Sequence, residues 1–238
     1  MAVKHDPMVM TDDEDRVPGV LRPKDAATLI LVKREDEPRV LMGCRNSGMA
    51  FMANKYVFPG GRMDPGDQRI PVAKDLRPEV MARAAVGITT SRARGLALAA
   101  IRETFEETGI LVGEPGTAPR TRSPAWVKFF AHGIVPALDR LDMIARAITP
   151  PNRTRRFDAR FFMADAGAIA HALESAGHGE LLTPSWLTFA EARALDLPGI
   201  TRRVLEEVEA RLGDGPDTVR PAPFFRFLRG KTVETRLS

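Results

Sequence analysis

The sequence predicts an α/β protein built on a central mixed sheet with helices packed against it. Three observations lead there. Apolar runs of strand length recur, as in "AATLILVKRE" (26–35) and "RVLMGCR" (39–45). Longer stretches carry helical spacing, as in "SRARGLALAAIRETFEET" (91–108) and "GITRRVLEEVEARL" (199–212). The two kinds of segment mix without strict alternation, which suits a mixed sheet better than a doubly wound parallel one.

Residues 1–25 read as a leader, acidic at Asp12, Asp13, Glu14 and Asp15 and broken by Pro18 and Pro23. Residues 26–35 and 39–45 read as a hairpin around the turn "EDEP", and "YVFPGGRMDPGD" (56–67) as a short strand running into a Gly/Pro/Asp corner. "RPEVMARAAVG" (77–87) is Ala-rich with helical spacing, so a short helix is expected, stopped by Gly87. Thr89, Thr90 or Ser91 can cap the next helix, about 91–108, which Gly109 closes. A loop fills 113–125. A helix is expected near 125–147, a strand over 155–164, a turn and helix start in "PSWLTFAEARAL" (184–195), and a helix over 199–212.

Composition bounds the function classes. The chain of 238 residues is 44% hydrophobic and 28% charged, as expected of a soluble globular protein. It has no apolar run of about 18 residues for a membrane span, and its polar N-terminus lacks a signal-peptide core. A single cysteine, Cys44, fits a reducing cytoplasm. The net charge of +4 is compatible with a small anionic substrate and is weak support for a nucleic-acid partner.

The chemistry concentrates in 100–111, "AIRETFEETGIL". At about 100° per residue, Leu98, Ile101 and Phe105 share one arc, joined by Thr108, while Glu103, Glu106 and Glu107 gather on the other. Like charges at these spacings repel, and they sit near the helix C-terminus, where the macrodipole disfavours anions. A divalent cation held by hard carboxylate oxygens, Mg2+ or Mn2+, removes both penalties. Gly60 and Gly61 let backbone approach closely, and a carbonyl from that corner can add a ligand.

These two segments together resemble the Nudix box: a Gly, five residues, a Glu, seven residues, then Arg-Glu-aliphatic-x-Glu-Glu-x-Gly-aliphatic. Gly61 takes the glycine position, and Arg102, Glu103, Glu106, Glu107, Gly109 and Ile110 match the second half. Asp67 stands where the box has Glu, and Thr104 where it has an aliphatic residue. The distance from Asp67 to Arg102 is far longer than the box allows, which reads as a helical insertion (68–95) inside the box loop. A split box of this kind resembles the Nudix motif 19 subgroup, as do "FMANKYVFPGGRMDP", "ITPPNRTRRFDARFF" and "HGELLTPSWLTFAEARAL" in the same order. The resemblance implies a Nudix-type α/β/α sandwich over 26–212, with 213–238 as a C-terminal tail.

The resemblance also implies a metal-dependent hydrolase that cleaves the pyrophosphate of a nucleoside diphosphate linked to another group. Coenzyme A or an acyl-CoA, ADP-ribose and NADH are candidate substrates. The Arg and Gly that a CoA-cleaving signature wants before the corner are here Ala50 and Asn54. On this reading Glu103, Glu106, Glu107 and a corner carbonyl, that of Gly61 or Gly60, hold the metal, with Glu103 a ligand or the base. Arg102 holds a carboxylate, Asp67 or a box glutamate, by a bidentate pair. Glu180 is a further base or ligand, or a surface glutamate. Arg155 and Arg156, with Arg153 beside them, are candidate phosphate contacts, against surface charge as the plainer reading. A catalytically weak nucleotide-sensing module is the alternative function, and a homodimer is left open. His132, His171 and His178 read as surface or core histidines, Phe51 and Trp126 as stacking or core aromatics, Trp186 as a core anchor, and Cys44 as a small buried hydrophobe.

Overall fold

A computed structural model of the chain describes residues 21–46, 54–72, 74–151, 153–173, 181–214 and 220–238. Strands β1 (Lys24–Lys33), β2 (Arg39–Arg45), β3 (Tyr56–Val57) and β4 (Gly60–Arg62) come first. Helices α1 (Pro78–Ala84) and α2 (Thr90–Thr108) follow, then β5 (Ile110–Val112) and β6 (Glu114–Pro115). After them lie α3 (Pro124–Phe130), β7 (Ile134–Val135), β8 (Asp142–Ile148), β9 (Phe157–Asp165) and β10 (Ile169–Ala172). The chain continues through β11 (Leu181–Thr188), α4 (Phe189–Ala194), α5 (Gly199–Gly213), β12 (Ala222–Leu228) and β13 (Lys231–Leu237).

The main sheet runs β11-β2-β1-β9-β8-β12-β13, with β3 added to β2 and β4 to β1. β1 pairs with β9 and β8 with β12 in parallel, and the other neighbours are antiparallel, so the sheet is mixed. Side chains alternate along its strands. Leu29 and Leu31 of β1 face a core shared with α1, α2 and α3, whereas Ile30 and Val32 face a second core shared with α4 and α5. Helices on both faces make the α/β/α sandwich.

α2 is the central helix. The Thr89 side chain accepts from Arg92 N–H at its start, and Gly109, at φ 68°, closes it with its amide donating to the Phe105 carbonyl. The expected division into an apolar and an acidic face holds only for its last turns. From Leu96 to Ile101 every side chain is fully buried, because the sheet covers one side and α1, α3 and the 63–70 loop cover the rest. Small residues make that possible: a Cβ on Gly95 would lie 2.5 Å from Gln68 Cγ. Thr104, the departure from the box pattern, is buried and satisfies its hydroxyl on the Ala100 carbonyl at 2.8 Å.

Three expectations are corrected. The helix near 125–147 is only α3, because the chain turns at 131–133 and then pairs as β7 and β8. Its apolar residues fit a helical period, but β8 is an interior strand with both faces covered, and such strands show no clean alternation. The insertion 68–95 is helical in a short 3-10 turn at Asp67–Arg69, in α1 and in the first turns of α2, and extended or looped between them. The segment set apart as a tail supplies β12 and β13, and it places Phe224 in one core and Phe225 in the other. The leader up to residue 20 lies outside the described residues.

Phe225→Ala should therefore behave as a core truncation, costing about 3–5 kcal/mol. Urea unfolding of the pair checks this. A loss within about 0.5 kcal/mol, the ordinary size of a surface effect, would show that the hairpin is not part of the core.

Candidate functional site

The C-terminal half of α2 lies against the edge strand β4, and every polar contact between them follows from sheet register. Leu29 N donates to Pro59 O and Met63 N to Asp25 O, with Ala27 opposite Gly61. Hydrogen-bonded pairs alternate along an antiparallel ladder, so Gly61 turns its amide and carbonyl toward β1. Gly60 turns its own toward α2, and its amide donates to Glu107 Oε2 at 2.9 Å. Of the two corner carbonyls that are candidate metal donors, the register turns that of Gly61 into the sheet and leaves that of Gly60 on the α2 side. Gly61 matters for a different reason. A Cβ there would lie 2.5 Å from the Glu103 carboxylate carbon, so the missing side chain is the space the carboxylate fills.

Arg102 organises the cluster. Its five N–H groups have five partners: Nε with Asp67 Oδ1 (2.9 Å), Nη1 with Glu103 (2.8 Å) and Glu106 (2.6 Å), and Nη2 with Asp67 Oδ2 (3.0 Å) and the Arg62 carbonyl (2.8 Å). The bidentate partner is thus Asp67, 35 residues away in the chain. Burial works to lower the Arg102 pKa, but the hydrogen bond to Asp67 and the fields of Glu103 and Asp67 outweigh it and raise it. Burial pushes Glu103 up to about 7, against the pull of the Arg102 guanidinium, and Glu106 and Asp67 add to the push. Among the described residues, no three His, Cys, Asp or Glu side chains converge in coordinating geometry. Glu103 and Glu106 are turned to Arg102, and Glu107 to the Gly60 amide.

A cavity of about 380 Å³ opens beside Gly60, Gly61 and Glu103 on the α5 side of the sheet. Ala26, Ala159 and Ala147 stand in register across β1, β9 and β8 and form its floor, with Phe225 of β12 next in the row. Phe157 and Phe161 stand on either side of Ala159, and Ile200 and Thr201 from the first turn of α5 add to the wall. Arg62, opposite Ala26, and Arg155, in the loop before β9, bring positive charge to the lining. Neither is paired with a carboxylate among the described residues.

The structure therefore brings Arg102, Glu103, Glu106, Glu107 and the glycine corner together and puts Arg155 in the adjoining cavity. It separates Arg156, whose guanidinium donates to the Thr149 and Leu21 carbonyls and ties the β8–β9 connection to the segment just before β1. Glu180, His178, Phe51 and Ala50 lie outside the described residues. His132 and His171 are exposed with ring centroids 6.4 Å apart, Cys44 is half-buried, and Trp186 packs partly buried under Lys33. Trp126 is a fully buried core residue, yet its indole N–H also donates to Asp67 Oδ1 at 2.8 Å. Sequence reading missed that contact and the place of Arg62. The arginine beside the glycine corner was the one visible signal for the latter.

No protein-family model matches the chain. A curated protein of Caenorhabditis elegans named "Putative nudix hydrolase 7" is 28% identical over 152 residues, which cover 59% of this chain and 43% of that protein, so the match spans less than half of the relative's length. The crystal structure of a NUDIX hydrolase from Alicyclobacillus acidocaldarius superposes with a TM-score of 0.58 at 25% identity, covering 83% of this chain and all of that one. With the fold and the Arg102 cluster already in place, these likenesses show that the chain is similar to Nudix hydrolases in sequence and in fold. No helix among the described residues is long and apolar enough to cross a membrane.

The raised Glu103 pKa has a consequence for stability without metal. The folded state holds a proton that the unfolded chain releases in the ordinary carboxylate range, between about 4 and 5. The stabilising contribution is complete below that range and is lost as pH rises toward and through about 7. Unfolding midpoints in EDTA should thus decline from pH 5 to pH 8 more steeply for wild type than for Glu103→Gln, by up to about 1.4 kcal/mol per pH unit. Parallel profiles for the two proteins would show that Glu103 ionises normally.

Proposed function

We propose that the chain is a divalent-metal-dependent Nudix pyrophosphohydrolase acting on a nucleoside diphosphate linked to a second group. One arrangement supports the reading above all: Glu103, Glu106 and Glu107 stand on successive turns of α2 against a glycine corner that opens into the cavity. The donor set fits Mg2+ or Mn2+ in kind, since it consists of carboxylates and a backbone carbonyl, all hard oxygens. The space over Gly61 admits a carboxylate where any side chain would exclude it. Glu106, Glu107, Glu103 and the Gly60 carbonyl would hold the ion. When bound, the ion would supply positive charge to the bridging phosphate oxygens of the substrate.

The chain's own residues do the rest. Arg102 is committed to Asp67, Glu103 and Glu106, so it positions carboxylates rather than substrate. Glu103 lies at the cavity edge, where a carboxylate can take a proton from the attacking water. Arg62 and Arg155 line the cavity and would meet phosphate oxygens there, and neither has a carboxylate partner among the described residues. The alanine floor and phenylalanine walls receive the organic part by shape and apolar contact. CoA derivatives, ADP-ribose and NADH remain the substrates to test.

Mg2+-dependent release of nucleoside monophosphate or phosphate from a panel of such diphosphates tests the reading. Glu103→Gln should lower kcat at least about 100-fold, as expected when a general base or metal ligand is removed. Glu106→Gln/Glu107→Gln should lose tight Mn2+ binding, and equal binding in a titration would remove the metal site. Arg155→Ala separates the roles of cavity and cluster. It should raise KM by about tenfold with kcat nearly unchanged, the signature of lost uniform binding. A fall in kcat alone would move Arg155 from substrate binding to the chemical step.

A further inference from the structure

Asp67 is fully buried, and its carboxylate accepts four hydrogen bonds: two from Arg102, one from the Asp64 amide at 2.8 Å and one from the Trp126 indole at 2.8 Å. Three of these are what an acidic residue at the end of the glycine corner needs in order to hold Arg102. The fourth comes from α3, an element outside the box. Trp126 is itself fixed: it is fully buried, its ring lies 5.2 Å from Phe129 and 5.5 Å from Phe130, and Phe129 packs edge-on against Phe105 of α2 at 5.4 Å. The indole thus reaches the Asp67 carboxylate from a support locked to the same helix that carries Arg102. Asp is one methylene shorter than the Glu of the box pattern, so its carboxylate stands closer to its own backbone. The indole already sits at hydrogen-bond distance from Asp67 Oδ1, so a carboxylate carried one methylene further would have to turn away from it or push it aside.

We propose that Trp126 is a positioning residue, and that Asp67 with Trp126 replaces the single longer carboxylate of the box. The indole N–H fixes the plane of the Asp67 carboxylate. That plane fixes the Arg102 fork, and the fork aims Glu103 and Glu106. A residue with only a packing role would fill the same volume without setting any of these orientations.

Trp126→Phe, Asp67→Glu and the double variant test the pair. The catalytic part of the test rests on the hydrolase reading; the stability part does not. Trp126→Phe should lower kcat and weaken Mn2+ binding by about 10- to 100-fold, the usual effect of losing an outer hydrogen-bond partner, with KM changed less than about threefold. Asp67→Glu alone should also be impaired, because the added methylene meets the indole. The double variant should recover at least about tenfold in kcat and in Mn2+ affinity over Asp67→Glu. Its urea midpoint should lie above the sum of the two single losses, since contacting residues couple and merely co-buried ones add. Wild-type kcat in Trp126→Phe, or additive losses in the double variant, would overturn the proposal. Should Trp126→Phe fail to fold, the double variant compared with Asp67→Glu still decides. Coupled stability with no hydrolysis by any of the proteins would leave the pair standing and sink the hydrolase reading.

Discussion

The Arg102 guanidinium is the group on which the rest of the structure depends. It is almost wholly buried, has no spare N–H, and touches three carboxylates and one strand carbonyl. Removing a charge from water is costly, and a buried pair offsets that cost only when geometry and hydrogen bonding are complete. Here they are complete on the Arg102 side and on the Asp67 side. Asp67, Glu103 and Glu106 all share that one guanidinium, and Glu103 stands at the rim of a cavity. On the function proposed above, a carboxylate cluster on one side and arginines with no carboxylate partner among the described residues on the other would suit a diphosphate and a divalent cation together.

Packing explains why so polar a knot can be held so firmly. α2 is not a surface helix with one dry side. Its middle, Leu96–Ile101, is buried all round, and its C-terminal part emerges at the sheet edge just where β4 adds two glycines. The helix therefore cannot rotate or slide without disturbing both the core around Leu96–Ile101 and the Gly60–Glu107 contact. Rigid backbone on both sides of the cluster is what lets a few ångströms of side chain decide its geometry.

How much of this was legible in the sequence depends on how local each interaction is. The caps of α2, the shared arc of Glu103 and Glu107, and the glycine corner follow from spacing over a few residues, and all could be read directly. The Arg102–Asp67 pair was one of two readable options, since the box pattern supplied the candidates but not the choice. The Trp126 contact joins residues 59 apart on elements that no local rule brings together, and a buried tryptophan reads as core in any sequence. β8, β12 and β13 were lost because an interior strand shows no polar face, and a closing hairpin looks like a tail until the sheet it completes is known. Spacing locates the corner but does not choose between the Gly60 and Gly61 carbonyls, because the direction of each is set by register with β1.

The split between the corner and the helix also has a physical account. Closing a loop costs entropy that grows only as the logarithm of its length, about 0.6 kcal/mol for each doubling, so a long insertion between Asp67 and Arg102 is a small burden. What an insertion must not do is leave its own backbone groups unpaired in the interior. The end of α1 meets that condition through arginines from the sheet. Arg160, fully buried on β9, donates to the Ala84 and Val86 carbonyls at 2.7 and 3.2 Å, and Arg146 on β8 donates to Val86 at 2.9 Å while holding Asp158 with its other nitrogens. Burial, with the neighbouring Arg146, lowers the Arg160 pKa to about 10, which still leaves it charged at neutral pH. The sheet thus satisfies the exit of α1 as well as the strands beside it. The chain can then re-enter α2 at Thr89 with the Asp67–Arg102 contact preserved, which is how a pair separated by 35 residues acts as one compact motif.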